Sequence, residues 1–241
     1  MQCLILAGGF GSRMKHMSKD LPKSLFPVLD KPFIDYQLAW LAGQGVTNVV
    51  VSLGYKAEMV RDYLGTGERW DIDITCVEDG DKPLGTAGAI RNAVDQGALK
   101  GGFFVLYGDS YLKVDLRDIW RVSENGIHPI MTVFKNDGQW DTCNVLMKDG
   151  KLDLFEKDAA GEIKAKMSHI DYGLSVLSED VILQMVPSGE AWDLATVQHD
   201  LSLQGRLMGY EVFDRFYEIG SPQGLLDLEN HLKDMLHDLL T

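Results

Sequence analysis

The chain has 241 residues, 45% of them apolar and 24% charged, and a formal net charge of −13. That length suits one α/β domain or two small ones. The acidic balance argues against a sequence-independent nucleic-acid binder, which needs a basic surface to release counterions. Phosphorylated small molecules stay open, because a few local cations and N–H groups can hold them. Cys3, Cys76 and Cys143 are scattered and form no C-x-x-C pair, so neither a disulfide framework nor a zinc site is expected. No charged leader opens the chain and no run reaches the roughly 18 apolar residues of a membrane span. The expected location is the cytoplasm, with no membrane partner.

In chain order, QCLILA is a short apolar run ended by glycines, the pattern of a buried parallel strand. PFIDYQLAWLAGQG carries apolar residues at helical spacing, with Gly43 and Gly45 where a C-cap is wanted. TNVVVSLGY predicts a second buried strand, and KAEMVRDYLGTG a short helix with a glycine stop. DIDITCVED alternates as a third strand. TAGAIRNAVDQGAL predicts a helix, and GGFFVLYGDS a fourth strand ending in a polar turn. Strands alternating with helices over residues 1–110 imply a parallel sheet with right-handed crossovers.

The pattern changes after Asp115. HPIMTVFK, TCNVLMKDGKLDLFEK and HIDYGLSVLS are strand-like, and KDGK reads as a hairpin turn. A short helix (EDVILQMV), a longer one (AWDLATVQHDLSLQG) and a strand (RLMGYEVF) follow. A final helix starts with Pro222 at N1 and Ser221 as N-cap. There is no repeat, low-complexity tract or clear linker. The fold class is α/β: a Rossmann-like, mixed, mostly parallel sheet flanked by helices. It has a nucleotide lobe over about 1–114 and a second lobe over about 115–241. The last helix suits core packing or a homo-oligomer contact equally.

The loop after the first strand, LAGGFGSRM, carries the strongest chemical signal. In open parallel α/β sheets ligands bind beyond the carboxyl ends of strands. Gly8, Gly9 and Gly11 would expose N–H groups there as an anion-holding concavity. Arg13 adds a permanent forked cation, and Lys23, after Pro22, a second. A P-loop is excluded, since no Lys-Ser/Thr pair follows these glycines. The dinucleotide fingerprint fails too, because Met14 stands where its third glycine belongs.

The run L-A-G-G-x-G-S-R-M followed by P-K-S-L-F-P-V, Leu6 to Val28, resembles the signature of the sugar-1-phosphate nucleotidyltransferases. PLGTAGAI, YGDS, FEK, DYG and YEIGSPQGL continue the resemblance in the family's order over nearly the whole chain. It implies one nucleotidyltransferase domain over 1–241, in the nucleotide-diphospho-sugar transferase, GT-A-like arrangement. It also implies an enzyme that joins a nucleoside triphosphate to a sugar 1-phosphate, giving an NDP-sugar and pyrophosphate.

The resemblance assigns roles. Leu6, Ala7, Gly8, Gly9, Gly11, Ser12, Arg13 and Lys23 would hold the nucleotide, Arg13 and Lys23 acting catalytically by cancelling phosphate charge. Gly85, Thr86 and Gly88 of PLGTAGAI would lie against base and ribose, the glycines permitting close approach of the ring edge. Asp109, Glu156, Lys157, Asp171 and Gly173 would bind the sugar phosphate. Asp109 and Glu218 would ligate Mg2+. Two positions depart from the commoner family pattern. Glu218 stands where aspartate is usual, which adds a methylene of reach. Asp171 stands where many members have asparagine, and an ionised carboxylate can only accept hydrogen bonds.

No protein nucleophile is required, since a phosphate oxygen is already ionised at pH 7. Trp140 and Trp192 are candidates for either the sugar pocket or the core. The look of the motifs is closest to guanylyltransferases acting on heptose 1-phosphate or mannose 1-phosphate. The alternatives are a uridylyl- or cytidylyltransferase for another substrate and a non-catalytic nucleotide-sugar sensor.

Overall fold

A computed structural model describes residues 1–9, 21–80, 82–136 and 138–238. Gly11, Ser12 and Arg13 lie outside these described residues.

The N-terminal half contains β1 (Gln2–Leu6), a small hairpin of β2 (Pro27–Val28) and β3 (Lys31–Pro32), α1 (Phe33–Gly43), β4 (Asn48–Leu53), α2 (Ala57–Leu64), β5 (Asp73–Glu78), α3 (Gly85–Asp95) and β6 (Gly102–Tyr107). β7 (Ser110–Tyr111), α4 (Leu116–Val122), β8 (Ile130–Lys135), β9 (Val145–Lys148), β10 (Lys151–Phe155) and α5 (Gly161–Lys166) follow. The chain continues with β11 (His169–Ser178), α6 (Glu179–Met185), α7 (Leu194–Leu203), β12 (Met208–Val212), β13 (Tyr217–Glu218) and α8 (Pro222–Asp238).

Among the described residues nine strands make one sheet. β5, β4, β1 and β6 run parallel in that spatial order. β11 then pairs antiparallel with β6 and β8, and β12 lies parallel to β8. The sheet therefore runs through the lobe boundary expected near residue 114. β1 is central, and its residues alternate between two cores: Cys3 and Ile5 pack with Leu38, Leu41 and Val60, while Leu4 packs with Ile90, Val105 and Leu201. Burial on both faces explains why QCLIL reads as a continuous apolar run. Edge strand β5 alternates instead, as its sequence does.

Local signals behave as their chemistry requires. Asp149 and Gly150 both have positive φ, 51° and 73°, the tight reversal that joins β9 to β10. The Ser221 hydroxyl accepts the Gly224 N–H at 3.0 Å, capping α8 behind Pro222. Short elements escaped the sequence reading. α4 has seven residues and is capped by Asp115, whose side chain accepts from the Arg117 N–H. β7 and β13 form a two-residue antiparallel ladder between distant parts of the chain. A third, smaller core of Phe26, Val28, Phe33, Tyr111, Ile219 and Leu228 fixes α8 beneath this ladder. Among the described residues no helix is long and apolar enough to cross a membrane.

Candidate active site

A cleft of about 390 Å³ opens at the carboxyl ends of the parallel strands. Leu6, Ala7, Gly8 and Gly9 line it directly after β1. Backbone packing brings these strand ends together. The Ala7 N–H donates to Ser52 O at 2.9 Å, and the Gly108 N–H to Leu6 O at 3.0 Å. A Cβ on Gly54 would lie 2.7 Å from Gly8 O, and one on Gly108 would lie 2.6 Å from Leu6 O. Neither glycine was singled out from sequence, yet both let neighbouring loops close on the Gly8 segment. Gly9 has nothing within 4 Å of a built Cβ, so its backbone faces open space.

Asp109 and Lys23 meet on one side of the cleft. Lys23, on the single 3-10 turn Lys23–Leu25, places Nζ 2.6 Å from Asp109 Oδ2. The turn carrying Asp109 is clamped from below by Gln37 of α1. Its Nε2 donates to Tyr107 O at 3.0 Å and to Ser110 O at 2.9 Å. Gln37 is 1% exposed, so this clamp belongs to the core. The Ile219 N–H donates to Asp109 O at 3.0 Å, which seats β13 beside the same turn.

Glu218 therefore lies beside Asp109 and Lys23. Its Oε2 accepts the Gly220 N–H at 2.9 Å, and its Oε1 accepts the Ser221 hydroxyl at 2.9 Å. A Cβ on Gly220 would collide with Glu218 Oε2 and sit 3.0 Å from Lys23 Nζ. Gly220 is thus the space in which the two charged groups converge. Both Glu218 oxygens keep a lone pair beyond these bonds. Among the described residues no three His, Cys, Asp or Glu side chains gather as a metal cluster. Magnesium commonly takes one or two carboxylates and draws its other ligands from phosphate and water, so Asp109 with Glu218 fits such an ion.

Asp79 lies elsewhere on the cleft, at the end of β5. Its side chain reaches back toward the loop after β1, with Oδ2 3.8 Å from where a Cβ on Gly8 would lie. Asp79 accepts from the Leu84 N–H at 3.4 Å and the Ser52 hydroxyl at 3.5 Å. Burial raises its carboxyl above the ordinary value, and those two hydrogen bonds only partly oppose the rise.

Gly85 and Thr86 line the cleft, whereas Gly88 is buried in α3. Protein also approaches both glycines closely. A Cβ on Gly85 would lie 2.6 Å from Trp192 O, and one on Gly88 would lie 2.5 Å from Glu190 O. The Ala87 and Gly88 N–H groups donate to Trp192 O at 2.9 and 3.2 Å, and the Trp192 N–H returns to Leu84 O at 2.8 Å. Trp192 thus serves this junction. Trp140 is 45% exposed, and the Arg215 guanidinium stacks 4.0 Å from its ring centroid.

Two of the remaining candidates, Asp171 and Gly173, lie against Tyr107. Burial, followed by the charges of Asp171, Asp193 and Asp109, pushes its hydroxyl well above the ordinary phenol value. Asp171 sits where the β8–β11 pairing shifts register. Its Oδ1 accepts the Gly173 N–H at 2.9 Å, and Gly173 takes φ +100° to present it. Burial lifts the Asp171 carboxyl to about 6, against the lowering effects of Gly173 and the Tyr107 hydroxyl. Asn144, which the sequence did not flag, ties this strand to the next candidate. Its Oδ1 accepts the Asp171 N–H at 3.0 Å and its carbonyl accepts the Glu156 N–H at 2.9 Å. Glu156 Oε2 lies 3.4 Å from His199 Nδ1. Lys157 is exposed and pairs with Asp193 at 2.8 Å.

Comparison with known proteins gives this cleft a context. Residues 2–138 match the family model described as nucleotidyl transferase. The chain is 30% identical over 186 residues to the D-glycero-alpha-D-manno-heptose 1-phosphate guanylyltransferase of Campylobacter jejuni, covering 75% of this chain and 77% of that one. It is 28% identical over 207 residues to a UTP–glucose-1-phosphate uridylyltransferase of Synechocystis, covering 80% of this chain and 53% of that one. The crystal structure of HddC from Yersinia pseudotuberculosis superposes with a TM-score of 0.75 at 24% identity, over 96% of this chain and 99% of that one, a likeness of fold. The chain belongs to the nucleotidyl transferase family and is a nucleotidyltransferase.

Proposed function

We propose that the protein transfers a guanylyl group from GTP to a sugar 1-phosphate of the heptose or mannose type. In this reaction an oxygen of the sugar phosphate attacks the α-phosphorus of GTP. The bond from that phosphorus to the bridging oxygen of the β-phosphate breaks, and pyrophosphate leaves in line. Two anions must meet, so the residues have to cancel charge and hold the groups in register.

The observation that carries the reading is the cleft at the strand ends, which Lys23, Asp109 and Asp79 all line. In it a nucleotide lies across the strand ends, its phosphates at Lys23 and its base at Asp79. A carboxylate accepts two adjacent donors. Guanine offers them as N1–H and N2–H2, whereas uracil and thymine offer a single N–H between carbonyls. The similarity to the C. jejuni enzyme, named for heptose 1-phosphate, supports the same base and sugar class.

Lys23 neutralises phosphate oxygens as the two substrates approach, and the Gly8–Gly9 backbone offers N–H donors to the triphosphate. Glu156 and Asp171 accept hydrogen bonds from sugar hydroxyls, and Lys157 takes the sugar phosphate. The first half of the chain serves the nucleotide and the second the sugar phosphate. Mg2+ held by Asp109 and Glu218 would supply charge neutralisation and alignment of phosphate oxygens. Arg13 is assigned to the triphosphate from its place in the signature.

A competition experiment tests the base. With equal ATP, CTP, GTP, UTP and dTTP and a panel of sugar 1-phosphates, the product should carry guanosine. A uridine product would overturn the guanine assignment and favour the uridylyltransferase reading. Tight nucleotide-sugar binding without pyrophosphate release would favour the sensor.

A further inference from the structure

Lys157 lies just after β10, and its exposed ammonium is 2.8 Å from Asp193 Oδ2. An exposed ion pair of this kind adds little to stability, so its value must be sought elsewhere. The carboxylate is anchored on its other side. Asp193 Oδ1 accepts the Thr86 hydroxyl at 2.9 Å and the Ala195 N–H at 3.1 Å, capping α7. The Thr86 hydroxyl oxygen in turn accepts the Leu194 N–H at 2.7 Å. Backbone hydrogen bonds between Trp192 and the Leu84–Gly88 segment hold the two pieces of chain together. One side chain thus bridges Thr86, which lines the cleft, and Lys157, which stands outside its lining.

We infer that Asp193 is a positioning residue: it holds the Lys157 ammonium in place for the sugar phosphate and fixes that cation relative to the nucleotide loop at Thr86. The inference rests on the reading in which Lys157 takes the sugar phosphate. Its physical basis is rotamer entropy. A free lysine side chain samples many conformers, and each must be given up when it grips an anion. A pinned carboxylate removes most of that freedom before substrate arrives. Burial opposes ionisation of Asp193, yet hydrogen bonds from Lys157, the Ala195 N–H and Thr86 outweigh it and keep its carboxyl below the ordinary value.

The test separates charge from capping. Serine caps a helix about as well as aspartate, so Asp193→Ser keeps the start of α7 while removing the counter-charge and the carboxylate acceptor of the Thr86 hydroxyl. Asp193→Ser, Lys157→Ala and the double variant are assayed for KM, kcat and thermal midpoint. Asp193→Ser should raise the KM for the sugar 1-phosphate about 5–10-fold, the scale of a lysine's lost ordering. The KM for nucleotide should move less than that for the sugar 1-phosphate, because only the Thr86 hydroxyl loses a partner there, and the thermal midpoint should hold. In the Lys157→Ala background the same substitution should leave the KM for the sugar 1-phosphate unchanged, because a residue acting through another leaves no independent effect. Wild-type kinetics in Asp193→Ser, or an equal loss in both backgrounds, would overturn the inference. Should the wild type turn over no sugar 1-phosphate, the proposed reaction fails while the positioning remains measurable. The NMR order parameter of the Lys157 ammonium should then fall in Asp193→Ser, and an unchanged value would overturn it.

Discussion

Replacing Asp171 with asparagine should stabilise the protein at alkaline pH and not at acid pH. Burial raises this carboxyl from its ordinary 3.8 to about 6. A carboxyl raised in the folded state stabilises least when ionised. Its contribution is intact below about pH 4 and is lost as the pH rises through about 6. Holding it ionised at pH 8 therefore costs about 3 kcal/mol. Asparagine removes that cost and can still accept the Gly173 N–H. It weakens the hydrogen bonding around Tyr107 by about 1 kcal/mol, leaving a net gain near 2 kcal/mol at pH 8. For 241 residues this is an increase of about 4 °C in thermal midpoint. At pH 4 wild-type Asp171 is already neutral, and the gain should vanish or reverse slightly. Urea unfolding of both proteins at pH 4 and pH 8 measures the difference directly. A stability gap that does not grow between those two values would refute the burial argument, whatever the absolute stabilities.

Other substitutions probe the rest of the site. Gly88→Ala places a Cβ 2.5 Å from Glu190 O; calorimetry should show a loss of about 1–3 kcal/mol, and none would mean that the 190–192 segment is not seated on α3. Gln37→Leu leaves Tyr107 O and Ser110 O without their donor. It should cost about 2 kcal/mol in stability and lower turnover, and unchanged turnover would detach Gln37 from Asp109. Asp109→Asn should abolish magnesium-dependent pyrophosphate release, because an amide cannot match a carboxylate's attraction for a divalent ion; wild-type magnesium dependence would remove Asp109 as a ligand. Glu218→Gln should lose activity that Glu218→Asp partly keeps, and full activity in the glutamine variant would leave Glu218 with its turn-capping bonds alone. Arg13→Ala, from the signature loop, should lose turnover, and near-normal turnover would sink the phosphate-loop assignment.

Much of the nucleotide half was legible because its signals are local. A buried parallel strand reads as an unbroken apolar run, and ligands collect past its end, so QCLIL pointed directly at Gly8 and Gly9. Asp109 was legible for the same reason, as the acid that follows β6. What stayed hidden depends on partners distant in sequence. Gln37 sits within an ordinary helical pattern, and nothing in YQLAWL reveals that its amide reaches carbonyls some 70 residues away. Gly54 and Gly108 look like common loop glycines until the strand ends meet. Gly85 and Gly88 were noticed, but the chain that packs on them lies about a hundred residues further on. Asp193 caps a helix, a routine duty that conceals its two other contacts. α4 and the β7–β13 ladder are too short for periodicity to register.

A sugar phosphate oxygen displacing pyrophosphate from a nucleoside triphosphate is a reaction in which every participant carries phosphorus. Phosphorus NMR of the wild-type protein with GTP, magnesium and a heptose or mannose 1-phosphate observes every participant at once. Pyrophosphate and the two coupled resonances of a nucleotide sugar should appear in equal amounts, dependent on the sugar phosphate and reversed by added pyrophosphate. Orthophosphate as the leaving species, or pyrophosphate formed at the same rate without any sugar phosphate, would contradict that displacement.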